Sequence, residues 1–417
     1  MDFKALLKPF DCECGMHHSC AIGHIYIGKG ALSALPETVR EFDHILLVAD
    51  ENTNAVCGEQ VRDLLGRKLT RSLILHRDGV VIPNEEAIAE VEKELDGIDL
   101  IVGVGSGVIQ DLCKYVSFYH KLPYGIVCTA PSMDGYASVG AAMITDNMKI
   151  TYSCHVPHII IGDVDVLKTA PMDMIRAGYG DILGKFSCLN DWKLSAVVRG
   201  EYFCQKVYDM IFDMLQRTKD LGEKLQQRDE DAITTLMEAI IGVGIAMAYV
   251  GSSRPASGSE HHLSHYFEIT GILNDEPYFN HGTDVVYSTV FTQMLREELL
   301  QLKVPAAKGG HDRAEWEEKI RTVYTAAAQG VIDLQDKMGW YEQDRLSVYR
   351  EKWQEIRQTL AEVPSCEELK AYIASVGLDY SEYEKLYSAE KLENARWYAK
   401  DLKDRYSVLW LYYDLMK

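Results

Sequence analysis

Between residues 44 and 129, short runs of aliphatic and β-branched residues alternate with longer amphipathic stretches, the pattern of a parallel sheet whose strands are joined by crossover helices. The runs at 44–50, 72–76, 100–103 and 125–129 predict strands. Helical periodicity between them predicts helices at 54–67, 84–95 and 108–120. The second of these is opened by Pro83 and Asn84, with Glu85 and Glu86 in its first turn, where a helix N-terminus favours negative charge. One more strand-like run, at 159–163, leads into Pro171, and from there helical periodicity continues to the C-terminus. Glycines and Pro255 interrupt it at 251–258, and 305–312 and 362–365 read as loops. The pattern therefore predicts a doubly wound α/β domain over 1–170 and a helical domain over 171–417.

Composition narrows the classes of function. With 417 residues, 47% hydrophobic and 25% charged, the chain is long enough for two or three domains with a buried core. Its net charge of −20 is the wrong sign for a broad nucleic-acid interface, so no nucleic-acid partner is expected. The longest uncharged apolar stretch, 239–251, falls short of the ~20 residues that span a bilayer, and membrane insertion is not expected. The first ten residues carry Lys4 and Lys8 and no apolar core of the signal-peptide kind, which sets the expectation of a cytoplasmic protein. In such a reducing compartment the ten cysteines are expected to be thiols rather than disulfides.

Three groups of residues carry chemistry. Gly103-Val104-Gly105-Ser106-Gly107 follows a predicted strand and opens a predicted helix. Small residues there let a backbone approach a pyrophosphate while helix N–H groups point at it, although a tight turn without a ligand has the same composition. Asp50 ends an earlier strand, where a carboxylate can bind the ribose hydroxyls of NAD and would repel the extra phosphate of NADP. Here the acidic strand end precedes the glycine loop, unlike the usual dinucleotide-binding order.

The second group is His261 and His265, four apart on one helix face, with His281 twenty residues after the first. Such histidines suit a divalent metal, which also wants a carboxylate; Asp181 is the most distinctive upstream candidate, but spacing alone does not select it. His262, on another face, reads as structural. Third, Cys12, Cys14, His17, His18 and Cys20 have ligand-like spacing, yet they form one knuckle, and structural zinc usually needs a second pair from elsewhere.

Several blocks together resemble the sn-glycerol-1-phosphate dehydrogenases, within the superfamily of iron-type alcohol dehydrogenases, glycerol dehydrogenases and dehydroquinate synthases. They are the glycine loop, Thr129-Ala130-Pro131-Ser132-Met133-Asp134-Gly135-Tyr136-Ala137-Ser138, Gly180-Asp181-Ile182-Leu183-Gly184-Lys185, Ser253-Arg254-Pro255-Ala256-Ser257-Gly258-Ser259-Glu260-His261, and His281-Gly282. The resemblance implies an α/β dinucleotide-binding domain followed by an all-α metal- and substrate-binding domain, in the dehydroquinate synthase-like, iron-type alcohol dehydrogenase architecture. It implies Asp181, His261 and His281 as ligands of one divalent ion, zinc, nickel or iron. Asp134 and His265 would serve the substrate and its proton. Asp50, Gly105, Ser106, Gly107, Val108, Ile109, Thr129, Ser132 and Ser138 would contact NAD(H) or NADP(H). The expected reaction is reversible reduction of dihydroxyacetone phosphate, a small phosphorylated three-carbon ketone, to sn-glycerol 1-phosphate by a cytoplasmic homodimer. A polyol dehydrogenase and a dehydroquinate-synthase-like cyclase remain as alternatives. Lys149, Lys185 and Arg254 are cations that could meet the phosphate, though each also reads as a surface or structural charge.

Overall fold

The computed structural model describes residues 1–145, 148–306 and 309–417, which form two units: Met1–Ile182 with Gln216–Ser253, and Leu183–Leu215 with Arg254–Lys417. The strands of the first unit are, in chain order, β1 (Phe10–Asp11), β2 (His17–His18), β3 (His24–Gly28), β4 (Ile45–Asp50), β5 (Leu69–Leu75), β6 (Leu100–Gly105), β7 (Tyr124–Cys128), β8 (Gly140–Thr145), β9 (Met148–Ser153) and β10 (Ile159–Asp163). Six of them make one sheet in the order β3-β10-β7-β6-β4-β5, every neighbouring pair parallel. β1 pairs antiparallel with β2, and β8 with β9.

Period-two alternation explains why this sheet is covered on both faces. Ile45, Leu47 and Ala49 of β4 enter one core cluster, with Leu32, Leu35, Val61 and Leu65. Leu46 and Val48 enter the other, with Ala87, Val91, Ile109, Leu112 and Val116. The covering segments are α1 (Glu59–Leu65), α2 (Glu85–Glu92) and α3 (Gly107–His120). Each fully buried Leu, Ile or Val contributes roughly 1.5–3 kcal/mol, so these two faces carry much of the stability of the unit. All five strands expected from the hydrophobic runs are present. β3 and the β8–β9 hairpin were not foreseen: β3 is a half-buried edge strand, and β8 begins Gly140-Ala141-Ala142, where small residues give no strand signal.

The first unit is completed by α4 (Met172–Leu183), of which residues up to Ile182 belong to it, and by α5 (Glu230–Val250). The expectation that no stretch reaches membrane length needs correction: α5 has 21 residues and is apolar enough to cross a bilayer by length and composition. An uncharged stretch ends at Glu238, whereas the helix runs back through that residue to Glu230. Of its most apolar window, 72% is buried, and it packs on the 3-10 turn Asp134–Ala137 and on β3. Gly244 makes that approach possible, because a Cβ there would lie 2.7 Å from the Cβ of Ala137.

Among the described residues of the second unit every regular element is a helix, beginning with Lys185–Arg199 and continuing with α6 (Ser259–Asn274) and α7 (His281–Leu300). The interruption at 251–258 separates α5 from α6 as expected. The loop expected at 305–312 contains Ala307 and Lys308, which lie outside the described residues. Asp191, fully buried, ties the unit together: it accepts from the amides of Ser259 and Val408 at 2.7 and 2.9 Å and from Arg296 at 2.9 Å. The backbone amide of Ser259 is thereby fixed, and with it the first turn of α6.

Candidate functional site

β4 and β6 are neighbours, and the chain goes on from β4 to β5 on one side and from β6 to β7 on the other. That reversal leaves a crevice at the carboxyl ends of the two strands, the place where open α/β sheets bind ligands. Asp50 closes β4 and Gly105 closes β6, and the register sets Ala49 beside Val104, so the acidic strand end and the glycine loop are adjacent in space. The reversed order noted in the sequence is thus an order along the chain only. Ser106 occupies the N-cap of α3 but makes no side-chain capping bond, which leaves the first-turn amides for a ligand phosphate. Gly105 must be glycine: a Cβ would lie 2.5 Å from the Cβ of Ile109, which is buried. Ile109 is buried beneath the loop and can offer a ligand only backbone, whereas Val108 is half-buried. Asp50 also caps the following helix, its Oδ1 accepting from the amide of Thr53 at 2.8 Å.

Thr129 leads from β7 into the next loop, its amide donating to the carbonyl of Gly105 at 3.0 Å. The loop is held from α3, where Gln110 donates to the carbonyl of Tyr136 at 2.7 Å and buried Lys114 to those of Gly135 and Gly140 at 3.0 and 2.6 Å. Burial pulls the Lys114 ammonium below its usual pKa, although Asp111 opposes that shift. Tyr136 donates to the carbonyl of Ala130 at 2.7 Å, and Ser138 to that of Gly135 at 3.0 Å, closing the turn. Ser132 is half-buried on the same loop. Sequence reasoning gave Gln110 and Lys114 no role, since a polar residue on an amphipathic helix carries no local sign that it supports a loop.

The same loop reaches a proposed metal ligand. The backbone amide of Asp134 donates to Oδ2 of Asp181 at 2.9 Å, and Asp181 is fully buried on α4. Gly178, one turn earlier on α4, sits against the loop so closely that a Cβ there would fall 1.7 Å from the carbonyl oxygen of Pro131.

In the second unit the rings of His261 and His281 are 5.1 Å apart, with His265 at 6.2 Å from the first and 5.8 Å from the second. His281 is the first residue of α7. His261 and His281 each offer an imidazole nitrogen in the second unit, and Asp181 offers a buried carboxylate in the first. One carboxylate and two imidazoles suit a borderline divalent ion such as zinc, nickel or iron, and three protein ligands leave coordination open for a substrate. The donor set is also oriented. Nδ1 of His261 is 2.7 Å from Oε1 of fully buried Glu260, which accepts from the amide of Gly258 at 2.8 Å. An imidazole whose Nδ1–H meets a carboxylate presents Nε2 to a metal. Burial pushes the Glu260 carboxyl up, but the bond and charge of His261 and the Gly258 amide outweigh it and hold the group below the usual range. Glu260 was not singled out in the sequence, although it directly precedes His261.

His262 behaves as the structural residue expected: it is fully buried, with neither ring nitrogen hydrogen-bonded. Burial, with the nearby charges of Arg405, Lys403 and Arg254, pushes it well below the usual histidine range. Of the three phosphate-binding cations considered, Arg254 is occupied by Glu201 at 2.8 Å and by the carbonyls of Asp191 and Tyr406. Lys185 is fully buried and donates to the carbonyl of Ala256 at 3.0 Å. The side chain of Lys149 lies outside those described.

A family profile described as iron-containing alcohol dehydrogenase matches residues 26–171. Glycerol-1-phosphate dehydrogenase [NAD(P)+] of Halalkalibacterium halodurans is 35% identical over 307 residues, which are 72% of this chain and 77% of that protein. The enzyme of the same name from Geobacillus thermodenitrificans is 31% identical over 88% of this chain and 86% of its own. Among solved structures, maleylacetate reductase from Agrobacterium tumefaciens superposes with a TM-score of 0.62 at 13% identity, covering 92% of this chain and 91% of that one, a likeness of fold. Sequence and fold together assign the chain to the glycerol-1-phosphate dehydrogenase family of NAD(P)-linked oxidoreductases within the iron-type alcohol dehydrogenase architecture.

Proposed function

We propose that the chain reduces dihydroxyacetone phosphate reversibly to sn-glycerol 1-phosphate with NADH or NADPH, using one divalent metal. The observation that carries this reading is the likeness to glycerol-1-phosphate dehydrogenases, joined to the His261–His281 pair in the second unit and, in the first, to the Asp134 loop bonded to Asp181. The first-turn amides of α3 hold the pyrophosphate of the dinucleotide, with backbone from Gly105 to Ile109, and Asp50, Thr129, Ser132 and Ser138 line its path. That dinucleotide, when bound, would supply the hydride that reduces the ketone. Asp181, His261 and His281 would hold the divalent ion, which would supply Lewis acidity to the ketone.

The protein's own part is to orient and to move a proton. Glu260 fixes the tautomer of His261, and Asp181 is fixed by the amide of Asp134. His265 is the group that passes a proton to the nascent hydroxyl, since an imidazole exchanges protons near neutral pH, and the Asp134 side chain orients the glycerol end of the substrate. The same reading makes the enzyme a cytoplasmic two-fold homodimer, its assembly supported by the family resemblance. Sedimentation at ~47 kDa would exclude the dimer.

The test is oxidation of NADH and NADPH by metal-loaded protein with dihydroxyacetone phosphate, beside dihydroxyacetone, with chelator controls and chiral analysis. Metal-dependent formation of the sn-1 product is expected. Turnover of the unphosphorylated ketone alone would make the protein a polyol dehydrogenase, and absence of net cofactor oxidation would point to the cyclase chemistry.

A further inference from the structure

Within the second unit, the turn 275–280 sets where His281 stands against His261, since His261 and His265 lie on α6 and His281 opens α7. The chain leaves α6 through Asp275 at φ +53°, a left-handed conformation, and the amide of Glu276 donates back to the carbonyl of Gly271 at 2.9 Å. A Cβ at Gly271 would lie 2.7 Å from Cδ1 of Tyr278, so the turn lies close on the end of α6. Residues 274–278 are nevertheless exposed, and an exposed turn keeps a fixed position only if something anchors it.

The anchor is Tyr387, a buried residue that follows the helix Ser381–Leu386. Its ring stacks on Phe267 of α6, 3.9 Å between centroids, and meets Phe279 of the turn edge to face at 5.8 Å. Its hydroxyl accepts from the amide of Phe279 at 3.4 Å and donates to the carboxylate of Asp284, 3.0 and 2.9 Å from the two oxygens. Asp284 is buried on α7, one turn after His281. A single side chain thus joins α6 through its ring, the turn through an amide two residues before His281, and α7 through a carboxylate. Lys391, a few residues further on, adds a bond to Glu276 of the same turn at 2.6 Å.

A carboxylate buried against a phenol contributes direction more than net stability, because its removal from water offsets most of what the bond returns. The ring contacts alone would pack α6 against the turn. The hydroxyl and Asp284 add a defined angle and register between the two helices that carry the histidines.

We infer that Tyr387 is a positioning residue for the metal site, acting through Asp284 and the Phe279 amide to hold His281 at its place beside His261. This rests on the reading of the two histidines as metal ligands. A site is effective only when such supports hold its ligands within about 0.5 Å of the productive geometry.

Zinc affinity of the full chain, measured by competition with a chromophoric chelator, tests the inference with no substrate present. Tyr387→Phe keeps both ring contacts and removes only the hydroxyl, and its affinity for zinc is expected to fall about tenfold or more. Tyr383→Phe is the control. Tyr383 is also buried and meets Tyr387 edge to face at 5.1 Å, but its hydroxyl lies 3.4 Å from Oγ of Ser288, beyond the turn, and wild-type affinity is expected. Wild-type affinity in Tyr387→Phe overturns the inference, and so does an equal loss in both variants, which would mean only that the aromatic cluster has loosened. Asp284→Ala supplies the second readout: its loss combined with that of Tyr387→Phe should fall short of the sum of the two, because both remove one bond. Full additivity would overturn the inference. Failure of the wild-type chain to bind zinc would overturn it together with the reading on which it rests. Zinc binding without turnover of dihydroxyacetone phosphate would overturn the proposed reaction alone, since the positioning role is judged on affinity.

Discussion

Replacing Glu260 tests whether the metal site depends on a residue that touches no substrate. Glu260 is fully buried, and its Oε1 sits 2.7 Å from Nδ1 of His261 and 2.8 Å from the amide of Gly258. Glu260→Gln preserves the shape and leaves a carbonyl oxygen to accept both hydrogens, so it removes the charge, and it places an amide NH2 where buried Oε2 has no hydrogen-bond partner. His261 becomes a less basic ligand, and loss of such support typically lowers metal affinity 10–100-fold, or about 1.4–2.7 kcal/mol. Glu260→Ala in addition leaves the imidazole N–H and the Gly258 amide buried without an acceptor, at roughly 1–3 kcal/mol each, and frees the ring to take the other tautomer. The affinity order expected is therefore wild type, then Gln about tenfold weaker, then Ala weaker by 100-fold or more. Competition with a chromophoric chelator measures it, and assays at saturating metal should restore most of the activity of the Gln variant. Wild-type affinity in both variants, or stronger binding by Ala than by Gln, would refute the reasoning.

The remaining predictions concern the support of the site and the stability of the second unit. Gly178→Ala places a methyl 1.7 Å from the Pro131 carbonyl, so the Asp134 loop must retreat by more than 1 Å; a fall in kcat/KM of about 100-fold is expected from steady-state kinetics, with the fold retained by circular dichroism. Asp191→Ala strands the fully buried Arg296 and releases the Ser259 amide, and denaturant melts should record a loss of about 3–5 kcal/mol. Tyr324, Tyr349 and Tyr383 are fully buried, and burial above all pushes their hydroxyls well above the ordinary value of 10.0. The folded chain keeps these protons while the unfolded chain releases them near pH 10, so stability is full below that pH and falls as pH rises above it, by about 1.4 kcal/mol per unit for each tyrosine. Tyrosinate absorbance should then appear in one step with loss of helix; independent titration near pH 10 in the folded protein would contradict the burial.

What the sequence discloses follows from how local each determinant is. The parallel strands are legible because burial on both faces demands uninterrupted runs such as Ile45-Leu46-Leu47-Val48-Ala49, and a run is visible within a few residues. β3 is not, because an edge strand half in solvent needs no such run, and α5 is measured too short because Glu238 interrupts its apolar count while its packing does not stop there. The candidate site shows the same division. Asp50 and the glycine loop can each be read as ends of strands, but their adjacency is a property of strand order, which appears only when β4 and β6 are seen side by side.

The groups that hold the site are harder still to see from sequence. Gln110, Lys114 and Glu260 are ordinary polar residues until the carbonyls and the ring nitrogen that they meet are known, and Gly178 is an unremarked helix glycine until Pro131 arrives against it. Motif residues are legible because the chemistry restricts their type at fixed spacing. Supporting residues are restricted only by a neighbour that folding brings to them, so the positions at which this chain's specificity and metal affinity can be tuned are the ones that its sequence conceals.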